Sequence, residues 1–444
     1  MKFIEIENNH KSVLYSKSKV NSLSFYNITF DYDKMVAVFN SRSNTLLVMS
    51  PREYRDFATM SISDEKVLQS LIEKCFYVHD GNDEQIRCLN EQLNECGNQL
   101  RRMITILPTQ VCNARCFYCF NNDLSPLKMN NDCVINTINY LLKHYDKTPY
   151  DIHWFGGEPL CATDIIDDIT TELRFNGVDF SSRITTNGSY LNRELIRKIE
   201  SQWKTRVIHM VCDGYGIEHN KRKRYINVEN AYEQLLNNLS DLLLLTRDLK
   251  VILRINLDKG NYLQLKSILS DISKYLEYKN FYIQISYLRA ENSLQYDSYF
   301  KTEAEIKSFY CYVFSVLTKM NISSNHILGI KPSLKKERCF AETKGDYVIC
   351  SDGSFCKCLQ SDYSGVNLVG DFSYQDESKE IFWVQTNLDK KCYDCKLLPL
   401  CRGGCKYRRL KQNGLNYGSS CDNVKYYLDA YFEYLISLDS NGIL

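Results

Sequence analysis

Cys112, Cys116 and Cys119 stand in the run Cys-Asn-Ala-Arg-Cys-Phe-Tyr-Cys, a C-x3-C-x2-C array directly after the apolar stretch Met103 to Leu107. Three thiolates this close in sequence can converge on one soft metal centre; four would complete a zinc site or a standard iron–sulfur cluster. The next cysteine, Cys133, lies beyond a polar loop. The set is one ligand short, so a metal held by it keeps a position open for another molecule. The same spacing also suits a zinc site completed by His or Asp. A second field spans 339 to 421 and holds Cys339, Cys350, Cys356, Cys358, Cys392, Cys395, Cys401, Cys405 and Cys421. Within it, Cys392-x2-Cys395-x5-Cys401-x3-Cys405 alone could be a structural zinc knuckle. The seven remaining cysteines are scattered and read as small buried hydrophobes.

The rest of the chain sets bounds on this chemistry. Its 444 residues allow two or three domains. A hydrophobic content of 44% and a charged content of 25% are those of a globular protein. A net charge of +1 gives no electrostatic case for nucleic acid or an anionic membrane. No apolar run is long enough to span a bilayer, and the N-terminal residues contain no signal-peptide core. The expected location is cytoplasmic. There, nineteen cysteines point to metal or redox work rather than to disulfides.

The elements that must position the cysteines follow from periodicity. Residues 1–100 read as a small α+β region. Strands are expected at Ser24–Phe30, Met35–Phe39 and Asn44–Met49, and helices from Ser50 (with Pro51 at its first position), from Ser63, and over Glu84–Leu100. The region is either a structural appendage or a docking module for a peptide. From 101 to 330, strands at 103–108, 151–155, 182–186, 206–212, 250–256 and 281–287 alternate with helices at 131–145, 163–174, 191–201, 228–245, 262–276 and 303–319. This predicts an α/β fold with a parallel sheet: six βα units, as an open doubly wound sheet or a partial barrel. In both, chemistry collects at the carboxyl ends of the strands. The cysteine loop follows strand one, Gly156-Gly157-Glu158-Pro159 strand two, and Thr185-Thr186-Asn187-Gly188 strand three. Cys212-Asp213-Gly214 follows strand four, with His219 and Lys221-Arg222-Lys223-Arg224 beyond; Arg254, Asn256 and Asp258 close strand five. Singly these are ordinary: a glycine pair is usually a turn and a basic run a solvated face. Their joint placement around one mouth is what carries weight.

With these motifs in order, the chain resembles the radical SAM superfamily. The resemblance implies that Cys112, Cys116 and Cys119 hold a [4Fe–4S] cluster whose fourth iron is chelated by S-adenosylmethionine. It implies that Tyr118 borders the adenine, that Gly156, Gly157 and Glu158 meet the methionyl amino group, and that Thr186 and Asn187 lie near the ribose. Arg224, or alternatively Arg222, would face the carboxylate. The chain also resembles proteins with a C-terminal SPASM extension, through Cys339, the Gly353-x4-Cys358 pair, Cys392, Cys395, Cys401, Cys405 and Cys421. This implies two auxiliary [4Fe–4S] clusters: one on Cys339, Cys358 and Cys405, the other on Cys392, Cys395, Cys401 and Cys421. Cys350 or Cys356 could add a ligand to the first. Asp352-Gly353 reads as a hairpin turn that puts Cys356 and Cys358 on one strand face. Gly403-Gly404 lets the chain curl, and apolar positions from Tyr426 to Leu438 predict a C-terminal helix.

What the resemblance implies is a partial (β/α)6 barrel at 101–330, between the small region 1–100 and a SPASM domain at 331–444. The activity implied is cleavage of S-adenosylmethionine to a 5′-deoxyadenosyl radical that abstracts hydrogen from a ribosomally made precursor peptide. Installation of a thioether, carbon–carbon or ether cross-link would follow, with electrons from a donor such as flavodoxin or ferredoxin. A formylglycine-forming sulfatase maturase is the alternative reaction, and a zinc-stabilised peptide-binding protein the alternative class. For a catalytic acid or base the residues offer only Asp213 and Asp258, both of which also suit turns or caps.

Overall fold

The computed structural model describes residues 1–6, 20, 22–32, 34–79, 84–97, 100–119, 121, 125–288, 297–335, 339–360, 363–385, 387–413, 417–418, 421 and 424–440. They form two compact units. The larger takes Gln99–Ile330 and Cys339–Gln385; the other takes Met1–Asn98, Lys331–Arg338 and Thr386–Leu444. The stretch 331–444 is thus shared between both units.

In the larger unit the alternation predicted from sequence is present. Strands Arg102–Thr109, Tyr150–Gly156, Phe180–Thr186, Thr205–Cys212, Lys250–Leu257 and Phe281–Tyr287 pair in parallel, each with the next. Between them run helices Asn131–Lys143, Thr163–Phe175, Arg193–Ser201, Ala231–Leu245 and Leu265–Ile272, and Glu303–Lys319 follows the last. Helix starts are set by side chains: Asn130 and Asn192 accept from backbone N–H groups, and Thr302 forms a capping box with Glu305. The sheet extends past the six strands. Ile327–Leu328 pairs with strand six, and Tyr347–Ile349 pairs in parallel with strand one. Phe355–Cys356 and Leu368–Gly370 continue it, giving ten strands in an open order among the described residues.

Burial along strands two, three and six alternates strictly. Ile152, Trp154, Ile184 and Ile283 are fully buried. The intervening Asp151, His153, Arg183 and Thr185 are half-buried and polar. Arg183 pairs with Asp151, and His153 Nε2 lies 2.9 Å from Thr185 Oγ1. A sheet covered on both faces reads as continuous apolar runs. Strands two and three instead keep one face polar and half covered, below the strand ends that follow them.

The other unit has a four-stranded antiparallel sheet in the order Lys2–Glu5, Thr45–Met49, Met35–Asn40, Asn27–Tyr32. Helices Pro51–Ala58, Glu65–Glu73 and Glu84–Gly97 accompany it, the first closed by a Ser50–Glu53 capping box. Residues 98 and 99 of the expected third helix lie outside the described residues. The C-terminal helix Val424–Ser440 packs Phe432 against Phe30 and Phe39, at centroid separations of 5.1 and 4.9 Å. Its apolar face therefore covers the N-terminal sheet.

Candidate functional site

Strand one delivers the cysteine loop, and the loops after strands two and three hold it. Gly157 N–H donates to Thr109 O at 3.0 Å and Glu158 N–H to Val111 O at 2.9 Å. Gly156 has φ +121°, and a Cβ there would lie 2.2 Å from Thr109 O. A Cβ on Gly157 would lie 2.4 Å from the carbonyl oxygens of both Gln110 and Val111. The two glycines are therefore required by close backbone approach to the start of the cysteine loop. Gly157→Ala is expected to cost about 3 kcal/mol, the upper range for overpacking, read as a lowered denaturation midpoint with impaired cofactor binding.

Glu158 is 1% exposed. Its carboxylate accepts from Thr186 Oγ1 at 2.6 Å, Asn187 N–H at 2.8 Å and Leu160 N–H at 3.1 Å. Burial raises its pKa despite these bonds. In the structure the Glu158 carboxylate and the Thr186 hydroxyl are spent on joining the ends of strands two and three. Asn187 then reaches the cysteine loop: its Nδ2 donates to Asn113 Oδ1 at 2.9 Å and approaches Cys112 Sγ at 4.0 Å. Asn113 in turn donates to Ser189 Oγ at 2.8 Å. Burial raises the Cys112 thiol to about 12 and the Cys116 thiol to about 11. Both stay protonated without a metal, so loading must release protons.

A buried charge layer lies beneath the loop. Asp213 is fully buried and Lys223 is 3% exposed, with Nζ 3.2 Å from Asp213 Oδ2. Asp213 also accepts from Tyr118 Oη at 2.6 Å and Asn256 Nδ2 at 3.0 Å, and its N–H donates to His219 Nδ1 at 3.1 Å. Burial alone would raise the Asp213 pKa; Lys223, His219 and these donors reverse it, and the group is held below its usual value. Arg222 is 8% exposed, pairs with Asp258, and lies 4.9 Å over the Phe117 ring. The basic run is thus not a solvated face. Its middle two members turn inward because the short helix Ile217–Lys223 presents them to the ends of strands four and five. Asp213 and Asp258, the two candidate bases, are each buried against one of these cations. Arg224 is exposed, at the helix end with φ +51°. Lys223 and His219 were placed at the mouth by the sequence without a role, and Asn113 is a site residue that sequence reasoning missed. The only signal for Lys223 was its place within the basic run.

The second cysteine field is divided. Cys339, Cys350, Cys356 and Cys358 belong to the larger unit, and Cys392, Cys395, Cys401, Cys405 and Cys421 to the other. The hairpin expected at Asp352-Gly353 is present, with Val348 paired to Cys356. Cys350 and Cys356 Sγ lie 3.9 Å apart, both buried, in an apolar cluster with Leu107 and Leu359. Asn367 Oδ1 accepts from both Lys357 N–H at 3.1 Å and Cys358 N–H at 2.7 Å, fixing the strand end. In the other unit, Arg402, Gly403 and Gly404 have φ of +53°, +81° and +77° in succession. They make the curl expected between Cys401 and Cys405, and the buried Arg409 ties it by donating to Gly403 O at 3.1 Å.

Residues 106–261 match the model of the radical SAM superfamily. This stretch of the chain therefore carries a radical SAM domain. Its fold is shared with solved structures. "Native anSMEcpe with bound AdoMet and Cp18Cys peptide" has a TM-score of 0.56 at 16% identity, covering 76% of this chain and 97% of that one. SuiB of Streptococcus suis has a TM-score of 0.52 at 14% identity, covering 90% of this chain and 100% of that one. A structure of SuiB bound to its precursor peptide SuiA matches with a TM-score of 0.51 at 14% identity, covering 91% and 99%. A search of curated proteins returns no significant match. The residues present suit an iron–sulfur cluster with S-adenosylmethionine. The donors are three soft thiols from one loop at a strand end.

Proposed function

We propose that this protein is a SPASM-type maturase that installs an oxidative cross-link in a ribosomally made precursor peptide. The observation that carries the reading is the locking of the C-x3-C-x2-C loop by Gly157, Glu158 and Asn187 at one sheet end, in a chain that SuiB covers over 90% of its length. The anSMEcpe structures cover 76%, which favours the peptide cross-linker over the sulfatase-maturase alternative. When bound, the cluster and S-adenosylmethionine supply a carbon radical able to take hydrogen from an unactivated C–H bond, chemistry beyond any side chain.

The chain's own residues do the rest. Cys112, Cys116 and Cys119 would hold the cluster. Asn187 and Asn113 fix the loop, and Tyr118, clamped by Asp213, sets its aromatic wall. Arg224 is the better partner for a cofactor carboxylate, because Arg222 is already neutralised by Asp258. The paired states of Asp213 and Asp258 make them positioning groups rather than bases. Cys339 and Cys358 would serve one auxiliary cluster, and Cys392, Cys395, Cys401 and Cys421 would hold the other. Cys350 and Cys356, with their sulfurs adjacent, are the candidates for an additional ligand. An electron donor such as flavodoxin or ferredoxin belongs to the same reading.

The test is anaerobic reaction with short peptides encoded in the neighbourhood of the gene: formation of 5′-deoxyadenosine with loss of two hydrogens from one of them. Unchanged peptide mass alongside formylglycine on a sulfatase would favour the alternative. Iron of about 11 to 12 per chain, counted as three cubane clusters, is expected; a colourless zinc protein would overturn the reading. Cys395→Ala is expected to keep S-adenosylmethionine cleavage within about threefold while product is lost, measured as deoxyadenosine against modified peptide.

A further inference from the structure

The turn Asn40 to Thr45 is polar throughout, yet each residue is between 0% and 5% exposed. Burial of such a run is costly unless every group is satisfied. Asn40 satisfies its own: Nδ2 donates to Ser24 Oγ at 3.1 Å, Asn27 Oδ1 at 2.8 Å and Cys75 O at 2.8 Å, while Oδ1 accepts from the N–H groups of Arg42 and Ser43. Arg42 pairs with Glu84 and Glu91, whereas Ser41 and Asn44 reach the C-terminal part of the same unit. Ser41 Oγ donates to Lys396 O, and Lys396 Nζ donates to Asn27 O at 2.8 Å. Asn44 Nδ2 donates to Pro332 O at 3.0 Å, and Lys335 Nζ, three residues on from Pro332, donates to Cys401 O at 3.2 Å. Lys396 follows Cys395 directly, and Cys401 ends the next short helix, Leu398–Cys401.

We infer that the N-terminal region is the platform on which the Cys392–Cys405 segment is set, with Ser41 and Lys396 as positioning residues for the metal group of that segment. Residues 1–98 are then more than a detachable docking module: the buried turn holds the backbone between two of the proposed ligands. The inference rests on the proposed second auxiliary cluster.

Its test measures iron release from the reconstituted full-length enzyme to a chelator, with electron paramagnetic resonance of the reduced protein to identify which cluster decays. Ser41→Ala and Lys396→Met each remove one hydrogen bond. Each is expected to speed loss of the Cys392-field cluster about fivefold, the equivalent of ~1 kcal/mol, and to leave decay of the Cys112-loop cluster unchanged. Ser41→Thr, which keeps the hydroxyl, restores the wild-type rate. Tyr32→Phe, which loses a bond to Asp429 O in the same unit, leaves it unchanged. Wild-type decay in both Ser41→Ala and Lys396→Met overturns the inference, as does equal acceleration at all clusters. Cys395→Ala separates the two levels. If it removes no iron, the second cluster itself is wrong; if it does while Ser41→Ala has no effect, only the platform is.

Discussion

Replacing Cys116 by alanine is expected to lower S-adenosylmethionine cleavage by ~10³-fold or more, because no side chain can supply the lost radical chemistry. Cys116 is the middle member of the C-x3-C-x2-C set, and its carbonyl accepts from Cys119 N–H at 3.1 Å, so the two cysteines share one turn. Its thiol lies in the field of Lys223, which offsets part of the burial that pushes it to about 11. Alanine removes the thiolate and leaves the turn. Global stability of the apo chain should therefore change little, which separates the chemical effect from misfolding. The measurement is 5′-deoxyadenosine formed per chain under reducing conditions, with iron content and a denaturation curve on the same sample. A variant that keeps more than a tenth of wild-type turnover with full iron would remove Cys116 from the cluster.

The second large effect is on folding. Lys223→Met leaves the Asp213 carboxylate buried without its cation. Breaking a buried pair by removing one partner costs about 3–5 kcal/mol, most of it the penalty on the remaining charge. The damage should reach the cysteine loop, because Arg115 N–H donates to Lys223 O at 2.9 Å and Tyr118 donates to Asp213. Lys223→Met/Asp213→Asn should recover part of the stability, as the two sites are coupled. The pH dependence follows from the shifts. Asp213 is depressed on folding, so its contribution is present above the unfolded carboxyl pKa and lost as pH falls through the folded value. Lys223 is raised by Asp213, against a burial effect that lowers it, so its contribution is present below the unfolded amine pKa and lost as pH rises through the folded one. The wild-type pair therefore contributes evenly between about pH 4 and pH 10. In Lys223→Met burial raises Asp213, so the gap is widest near neutral pH and narrows as acid protonates that carboxyl. Denaturant midpoints across that window check it. A Lys223→Met protein as stable as wild type would mean that Asp213 is solvated or protonated.

Local rules made much of this legible. Strand and helix order in 101–330 follows from periodicity, and boundaries mostly agree to within a few residues because capping side chains such as Asn130, Asn192 and Thr302 mark them. The turn at Gly353 and the curl at Gly403 and Gly404 were readable for the same reason: positive φ selects glycine wherever it falls in the fold. Sheet extension was not. Pairing of Tyr347–Ile349 with strand one is a contact across more than two hundred residues, which no local period encodes.

The cysteine loop marks the boundary between the two kinds of knowledge. The candidate ligands were legible in the sequence alone, since thiols at that spacing can meet at one soft centre whatever surrounds them. Which neighbours stay charged was decided only by tertiary structure. Lys223 and Arg222 differ from Lys221 and Arg224 in nothing local; they are buried because a short helix turns that side toward Asp213 and Asp258. The same holds for Glu158, whose motif suggests a ligand contact but whose carboxylate closes on Thr186 and Asn187 from the neighbouring strand end. Burial and pairing are sums over distant residues, so they exist only once the chain has folded.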